Sequence, residues 1–319
     1  MKEDESIKGK IVDNPLKTIK IGDRIDFKFG RINHNYHPKP TWNEIWHQYN
    51  GVLLAIQFRN HSKNTFGIEG SAVMVAPGVA LSAKHVFEGH IDEFNSSNKS
   101  ALAIGVHKDG LQIWHLTKLK FVTNSDIAIL SLELASELPE DKSFNHVEIS
   151  TRLPKVDEEL LITGYRTWDS DPTNIKISSD ELMKSVGNVY AINGTVTNRY
   201  PSGRDSHMLP WPSLEVNCPS IGGMSGGPVF DTNGLLIGLL CSSFESGPSY
   251  ISLIWPSLVT TFNGGWPTST YKSFKTYQGQ HTLLDLANRG LCHIDKPTAI
   301  TTTTYIKENK KTMSYHPWE

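Results

Sequence analysis

Cysteine is scarce in this chain: Cys218, Cys241 and Cys292 are its three cysteines among 319 residues. An odd number leaves at least one thiol without an intramolecular partner, and the wide spacing matches no disulfide framework. Long apolar runs are absent too. Nothing approaches the ~20 residues that span a bilayer, so no membrane partner is expected. The N-terminal Met1-Lys2-Glu3-Asp4-Glu5-Ser6 is charged and leads into no apolar segment, the opposite of a secretory signal. The expected setting is therefore reducing and cytoplasmic, where the Asn-x-Ser/Thr triplets at Asn95, Asn98 and Asn193 have no bearing.

Neither sign of charge dominates. Thirty-one Lys and Arg against 33 Asp and Glu give a net charge of −2, which supplies no field to gather nucleic acid. Metal-ligand spacing is missing as well. His34-x-x-His37 and Cys292-His293 come without the rest of a tetrahedral set, so neither a metal nor another cofactor is expected. Cys218 has no basic cluster beside it and reads as a buried, inert thiol.

What is present is a chain of ordinary composition, 38% apolar, long enough to bury a full core as one large domain or two smaller ones. Residues 1–50 are polar and irregular and read as an N-terminal extension packed on the surface of the downstream domain. From Gly51 the texture changes to short apolar runs divided by turn residues. Six candidate strands occupy Val52–Phe58, Ser71–Val75, Val79–Ser82, Leu102–Val106, Leu111–Leu116 and Ile127–Leu132. A polar stretch, Ser136–Pro154, precedes six more: Glu159–Tyr165, Val186–Val196, Leu214–Asn217, Pro228–Asp231, Leu235–Cys241 and Tyr250–Ile254. Two sets of six suggest an all-β protein of two small antiparallel barrels, about 51–145 and 155–265. The polar loop Arg166–Lys184 reads as a surface excursion. Residues 266–319 form a C-terminal extension. Pro256–Phe262 and His281–Asn288 are candidate short helices, the second stopped by Gly290. Thr301–Tyr305 is β-prone, and Lys307–Lys311 reads as solvated.

The segment that carries chemistry is Gly222-Gly223-Met224-Ser225-Gly226-Gly227-Pro228-Val229-Phe230. A serine ringed by glycines lets the backbone approach a substrate carbonyl and aim amide N–H groups at it. A serine hydroxyl is a poor nucleophile at neutral pH and needs a base, a group to orient that base, and donors for the oxyanion. Upstream, His85 comes just after the apolar run Val79–Ala83, a candidate base. Asp126 stands immediately before the apolar Ile127-Ala128-Ile129-Leu130. A carboxylate beside such a strand is costly without a partner, and a histidine N–H would satisfy it.

Leu81-Ser82-Ala83-Lys84-His85, Asp126-Ile127-Ala128-Ile129-Leu130 and Gly223-Met224-Ser225-Gly226-Gly227-Pro228 resemble the three signatures of chymotrypsin-like (trypsin-superfamily) serine proteases, in that family's order. The resemblance covers roughly 51–265. It implies two packed six-stranded antiparallel β-barrels with a cleft between them. His85 and Asp126 would come from the first barrel and Ser225 from the second. Ser225 would attack, His85 would take and return the proton, Asp126 would fix the imidazole, and the N–H groups of Gly223 and Ser225 would form the oxyanion hole. The substrate would be a protein or peptide.

The chain departs from the secreted members of that family at Met224, where they carry an aspartate that pairs with a newly cut N-terminus. Activation by that cut is therefore not expected. The chain is similar instead to intracellular bacterial trypsin-like peptidases. Control would fall to ordering of the loop Pro219–Met224 by substrate or by a regulatory protein partner. The resemblance further implies a primary pocket near Pro219 and Ser249, and a wall strand Cys241–Ser243 that pairs with substrate backbone. Cys241, Ser242, Ser243 and Ser249 would suit a small or medium uncharged side chain, although Glu245 nearby keeps basic ones second. Cys241, or Ser242 if the register slips by one, would support the carboxylate of Asp126. Two other functions use the same scaffold: a catalytically silent protease-fold binding protein, and a non-peptide acyl hydrolase.

Overall fold

In a computed structural model the chain is described over residues 4–13, 21–47, 50–107, 110–137, 144–166, 175–176, 182–218, 222–243, 247–266, 277–305, 310–316 and 318. The N-terminal part holds β1 (Asp4–Lys10), β2 (Arg24–Asn33) and α1 (Pro40–His47). The first barrel contains β3 (Leu53–Asn60), β4 (Thr65–Ala76), β5 (Val79–Ala83), β6 (Lys99–His107), β7 (Gly110–Phe121) and β8 (Ile127–Leu134), with short helices α2 (His85–Glu88) and α3 (Ile91–Asn95) after β5. Its strands run β4-β3-β6-β7-β8-β5, and β5 pairs back with β4 to close the ring. Closure removes exposed edges, and every residue of β5 and nearly all of β8 are buried.

A linking strand, β9 (Ile149–Ser150), precedes the second barrel. That barrel contains β10 (Glu159–Arg166), β12 (Leu182–Tyr200), β13 (Ser213–Asn217), β14 (Pro228–Phe230), β15 (Leu236–Ser243) and β16 (Ser249–Leu253); β11 (Ile175–Lys176) pairs with β4 instead. The order β12-β10-β14-β15-β16-β13 closes through β12–β13 pairing. The fold is thus two closed six-stranded antiparallel barrels, the class expected from the sequence. One continuous apolar core runs through both, with Ala72, Leu81 and Ile129 from the first and Ile162, Val216 and Leu239 from the second fully or almost fully buried.

The N-terminal residues are less peripheral than expected. β1 and β2 form an antiparallel hairpin, and β2 pairs in parallel with β12 from Arg24↔Leu182 to Asn33↔Ala191. Ile25, Phe27 and Phe29 alternate into the core while Arg24 and Lys28 face out. Phe27 stacks on Phe29 with centroids 5.7 Å apart and meets Tyr165 of β10 edge-on at 5.8 Å. Trp42 of α1 is fully buried and donates its indole N–H to Asp231 O at 2.7 Å.

The C-terminal residues add α4 (Trp255–Val259), the hairpin β17 (Phe262–Trp266) with β18 (Tyr277–His281), and α5 (Leu283–Asn288). Thr282 starts α5 with a reciprocal capping box to Asp285, and Gly290 lies just beyond it at φ +67°. β19 (Ile294–Asp295) pairs with β9, and β20 (Ile300–Tyr305) pairs with β21 (Lys310–Tyr315). Of the expected solvated run Lys307–Lys311, residues 310–311 begin β21 and 307–309 lie outside the described residues. Most of the Arg166–Lys184 excursion also lies outside them. Tyr315 Oη and Trp318 Nε1 donate to Thr151 O (2.8 Å) and Thr151 Oγ1 (2.9 Å), so the end of the chain wraps the link between barrels. Among the described residues no helix is long and apolar enough to cross a membrane.

Candidate active site

Register explains how His85 and Asp126 meet. β5 and β8 are antiparallel neighbours with Ala83 opposite Ile127. Two residues beyond Ala83 and one before Ile127 therefore stand at the same end of the barrel. Lys84 N–H donates to Asp126 O at 3.0 Å and locks the two strand ends together. The turn into β8 contains Asn124 at φ +51°, a left-handed conformation that asparagine tolerates better than most residues. Asp126 is 7% exposed. One carboxylate oxygen accepts from His85 N–H (3.1 Å), the other lies 2.7 Å from His85 Nδ1. That second contact leaves Nε2 as the ring nitrogen turned to the cleft.

Ser225 comes from the other barrel, three residues before β14, and is part-exposed. It lines one cavity of about 590 Å³ together with His85 and Asp126. Its loop is shaped by close backbone packing. Gly226 has φ +80°, and a Cβ there would lie 2.2 Å from Ser71 O, so glycine is required on both counts. Gly226 N–H donates to Leu240 O and Gly227 N–H to Met224 O, each at 2.9 Å. Gly223 is exposed with φ +90°. Among the described residues, neither Gly223 N–H nor Ser225 N–H is spent on an internal acceptor. Met224 is fully buried, its Cβ against Gly164.

The electrostatics favour an imidazole that holds protons well. Burial pulls the His85 pKa down, but the hydrogen bond and charge of Asp126, with a smaller contribution from Glu88, outweigh it and raise it above 6.5. The thiols behave oppositely. Burial pushes Cys241 well above the usual thiol range, with the Asp126 charge adding to it, and Cys218 rises for the same first reason. Neither is poised to be a thiolate. Cys241 donates to Tyr250 O at 3.2 Å and sits on the cleft wall near Asp126.

Of the other expected pocket residues, Ser249 is 1% exposed in β16 opposite Val216 and Ser243. Pro219, Glu245 and the side chains of Ser242 and Ser243 lie outside the described residues. The backbone of β15 pairs with β14 only as far as Leu239, so Cys241–Ser243 have no strand partner on that edge among the described residues, and Cys241 lines the cleft.

Sequence reasoning missed one wall of the cleft. The loop between β12 and β13 brings Arg204, Met208 and Trp211 to its rim. Asp205 Oδ1 accepts the N–H groups of His207 (3.0 Å) and Met208 (2.6 Å), which fixes the loop and presents Met208 at 65% exposure. Trp211 packs beside Leu209, Cys241 and Tyr250 and also lines the cavity, whereas Trp255 and Trp266 are buried. The signal was Pro201-Ser202-Gly203, a turn cluster that marks an excursion but not its direction. No group of three or more His, Cys, Asp or Glu is placed to hold a metal among the described residues.

The Rv3671c protease from M. tuberculosis, in its active form, shares 13% identity over 70% of this chain and 84% of its own, with TM-score 0.48. The MamO protease domain of Magnetospirillum magneticum shares 12% over 66% and 95%, TM-score 0.45, and Deg5 shares 15% over 67% and 88%, TM-score 0.45. No curated protein matches the sequence. The family model of the trypsin-like peptidase domain matches residues 70–239, which include His85, Asp126 and Ser225. This chain belongs to the trypsin-like peptidase domain family.

Proposed function

We propose that the chain is a serine endopeptidase whose catalytic unit spans about residues 51–265. Ser225 is the nucleophile, His85 the general base and then acid, and Asp126 the group that orients and charges the imidazole. The observation that carries this reading is the double contact of Asp126 with His85, through ring Nδ1 at 2.7 Å and backbone N–H at 3.1 Å, on the same cavity as Ser225.

The reaction is built from these parts. Ser225 Oγ adds to the scissile carbonyl as His85 Nε2 takes its proton, and Asp126 stabilises the imidazolium. The carbonyl oxygen becomes an oxyanion held by the N–H groups of Gly223 and Ser225, each worth roughly 3 kcal/mol of barrier. Collapse expels the amine, protonated by His85; water then repeats the sequence and frees Ser225. The edge of β15 at Cys241–Ser243, which has no strand partner among the described residues, supports binding of extended substrate backbone by strand addition, which favours peptides over small acyl esters. Met224, buried and uncharged, supports competence without an N-terminal cut.

Fluorophosphonate labelling tests the assignment. The wild type is labelled at Ser225, and Ser225→Ala is not. An unlabelled wild type, with protein substrate present or absent, overturns it. Cleavage profiling on a peptide library then assigns the pocket.

A further inference from the structure

Behind Ser225 three strands converge on one buried serine, Ser71 of β4. Its N–H donates to Ser225 O at 2.8 Å. Its carbonyl accepts the hydroxyl of Ser82 at 2.6 Å. Its own Oγ accepts Tyr165 N–H from β10 at 2.8 Å and faces Tyr165 O at 3.4 Å. Ser71 and Ser82 are both fully buried. Space for the hydroxyl exists because Gly164 has no side chain: a Cβ there would come within 3.1 Å of both Ser71 Oγ and Met224 Cβ.

The bonds from Ser71 to Ser225 and Tyr165 run between the barrels, and the bond from Ser82 ties Ser71 into the first. Ser71 and Ser82 belong to the first; Ser225 and Tyr165 belong to the second. The base and the nucleophile are divided in the same way, so their separation depends on the register between barrels. Ser82 lies in β5, three residues before His85, which opens α2. A short path therefore joins base to nucleophile through the backbone of Ser71, and the Ser71 hydroxyl adds a separate tie, to Tyr165 of the barrel that carries Ser225.

We infer that Ser71 is a positioning residue for catalysis, its hydroxyl fixing the second barrel against the first so that Ser225 stays in reach of His85. The inference rests on the proposed triad. Without the hydroxyl, Tyr165 N–H loses that buried acceptor, and one of the two bonds by which Ser71 ties the second barrel to the first is gone. Misplacement of a reacting group by about 1 Å costs up to ~100-fold in rate.

The test compares the full-length wild type with Ser71→Ala, and with Ser71→Cys as a near-isosteric second variant in case the first does not fold. Active sites are counted by fluorophosphonate titration. The expected result is a kcat per titrated site lower by about 10- to 100-fold, with KM within ~2-fold, and a parallel fall in the labelling rate of Ser225. A purely structural role would lower the number of folded sites and leave kcat per site alone. Unchanged kcat per site in either folded variant overturns the inference while leaving the triad intact. An unlabelled wild type overturns the triad and this inference together.

Discussion

Asp126 grips His85 twice, taking the backbone N–H on one oxygen at 3.1 Å and lying 2.7 Å from ring Nδ1 on the other. The first contact fixes where the residue is; the second fixes which tautomer the ring adopts. A carboxylate so engaged is committed to one partner, and its charge raises the proton affinity of the His85 imidazole.

That affinity gives a pH profile. Because the His85 pKa is raised, kcat/KM climbs with pH along a limb whose midpoint lies above 6.5, as the imidazolium loses its proton and becomes a base. Asp126→Asn removes the hydrogen-bonding charge, so the limb moves down and kcat falls by about 10⁴-fold. Glu88→Gln moves the limb in the same direction by less. A limb unmoved in Asp126→Asn contradicts the assignment.

Gly226→Ala makes a sharper demand. A methyl group 2.2 Å from Ser71 O, on a backbone at φ +80°, forces the loop that carries Ser225 to move. Activity drops by at least ~100-fold, while the bulk of the fold, monitored by far-UV circular dichroism, persists. Wild-type turnover in this variant is the outcome that excludes the loop geometry described here.

Phe27 tests whether the N-terminal strand is part of the folded unit. It is fully buried between Phe29 and Tyr165. Phe27→Ala destabilises by about 3–5 kcal/mol, read from the midpoint of denaturant unfolding. A change under ~1 kcal/mol, the level of an exposed site, counts against integration.

His115 governs stability at mild acid. It is fully buried in β7, and burial lowers its pKa to about 4, with partial opposition from Asp13. In the unfolded chain the value returns to about 6.5. Protonation thus favours the unfolded state: the stability is whole above pH 6.5 and is lost as pH falls from there to about 4, by up to ~3 kcal/mol. His115→Gln flattens unfolding free energy across that window; an equally steep curve in the variant assigns the slope elsewhere.

The barrels were legible because each of their strands is a short apolar run bounded by turn residues, and all twelve expected strands fall on observed ones. The candidate triad residues stood out because each sits at a strand end where its neighbours are distinctive. Strand β2 was missed although Arg24-Ile25-Asp26-Phe27-Lys28-Phe29 alternates strictly, since β1, its neighbour in sequence, is mostly polar and its other partner, β12, lies far along the chain. Ser71 left no signal at all. Its role arises from three hydrogen bonds to distant residues, and a serine inside an apolar run carries no mark of them. The wall at Met208 was hidden for a related reason: turn chemistry announces a loop, and only tertiary packing says what it borders.

The parallel pairing of β2 with β12 also sets a timetable. The first strands leave the ribosome early, yet Arg24 must await Leu182 and Asn33 must await Ala191 before they find their backbone partners. A non-local pairing of this kind forms slowly and leaves apolar side chains waiting. Phe27 and Phe29 are among those that wait, and Tyr165, which Phe27 packs on, is the residue whose amide Ser71 holds. This seam thus packs behind the loop that carries Ser225, and a nascent chain cannot close it until residue 191 has been made.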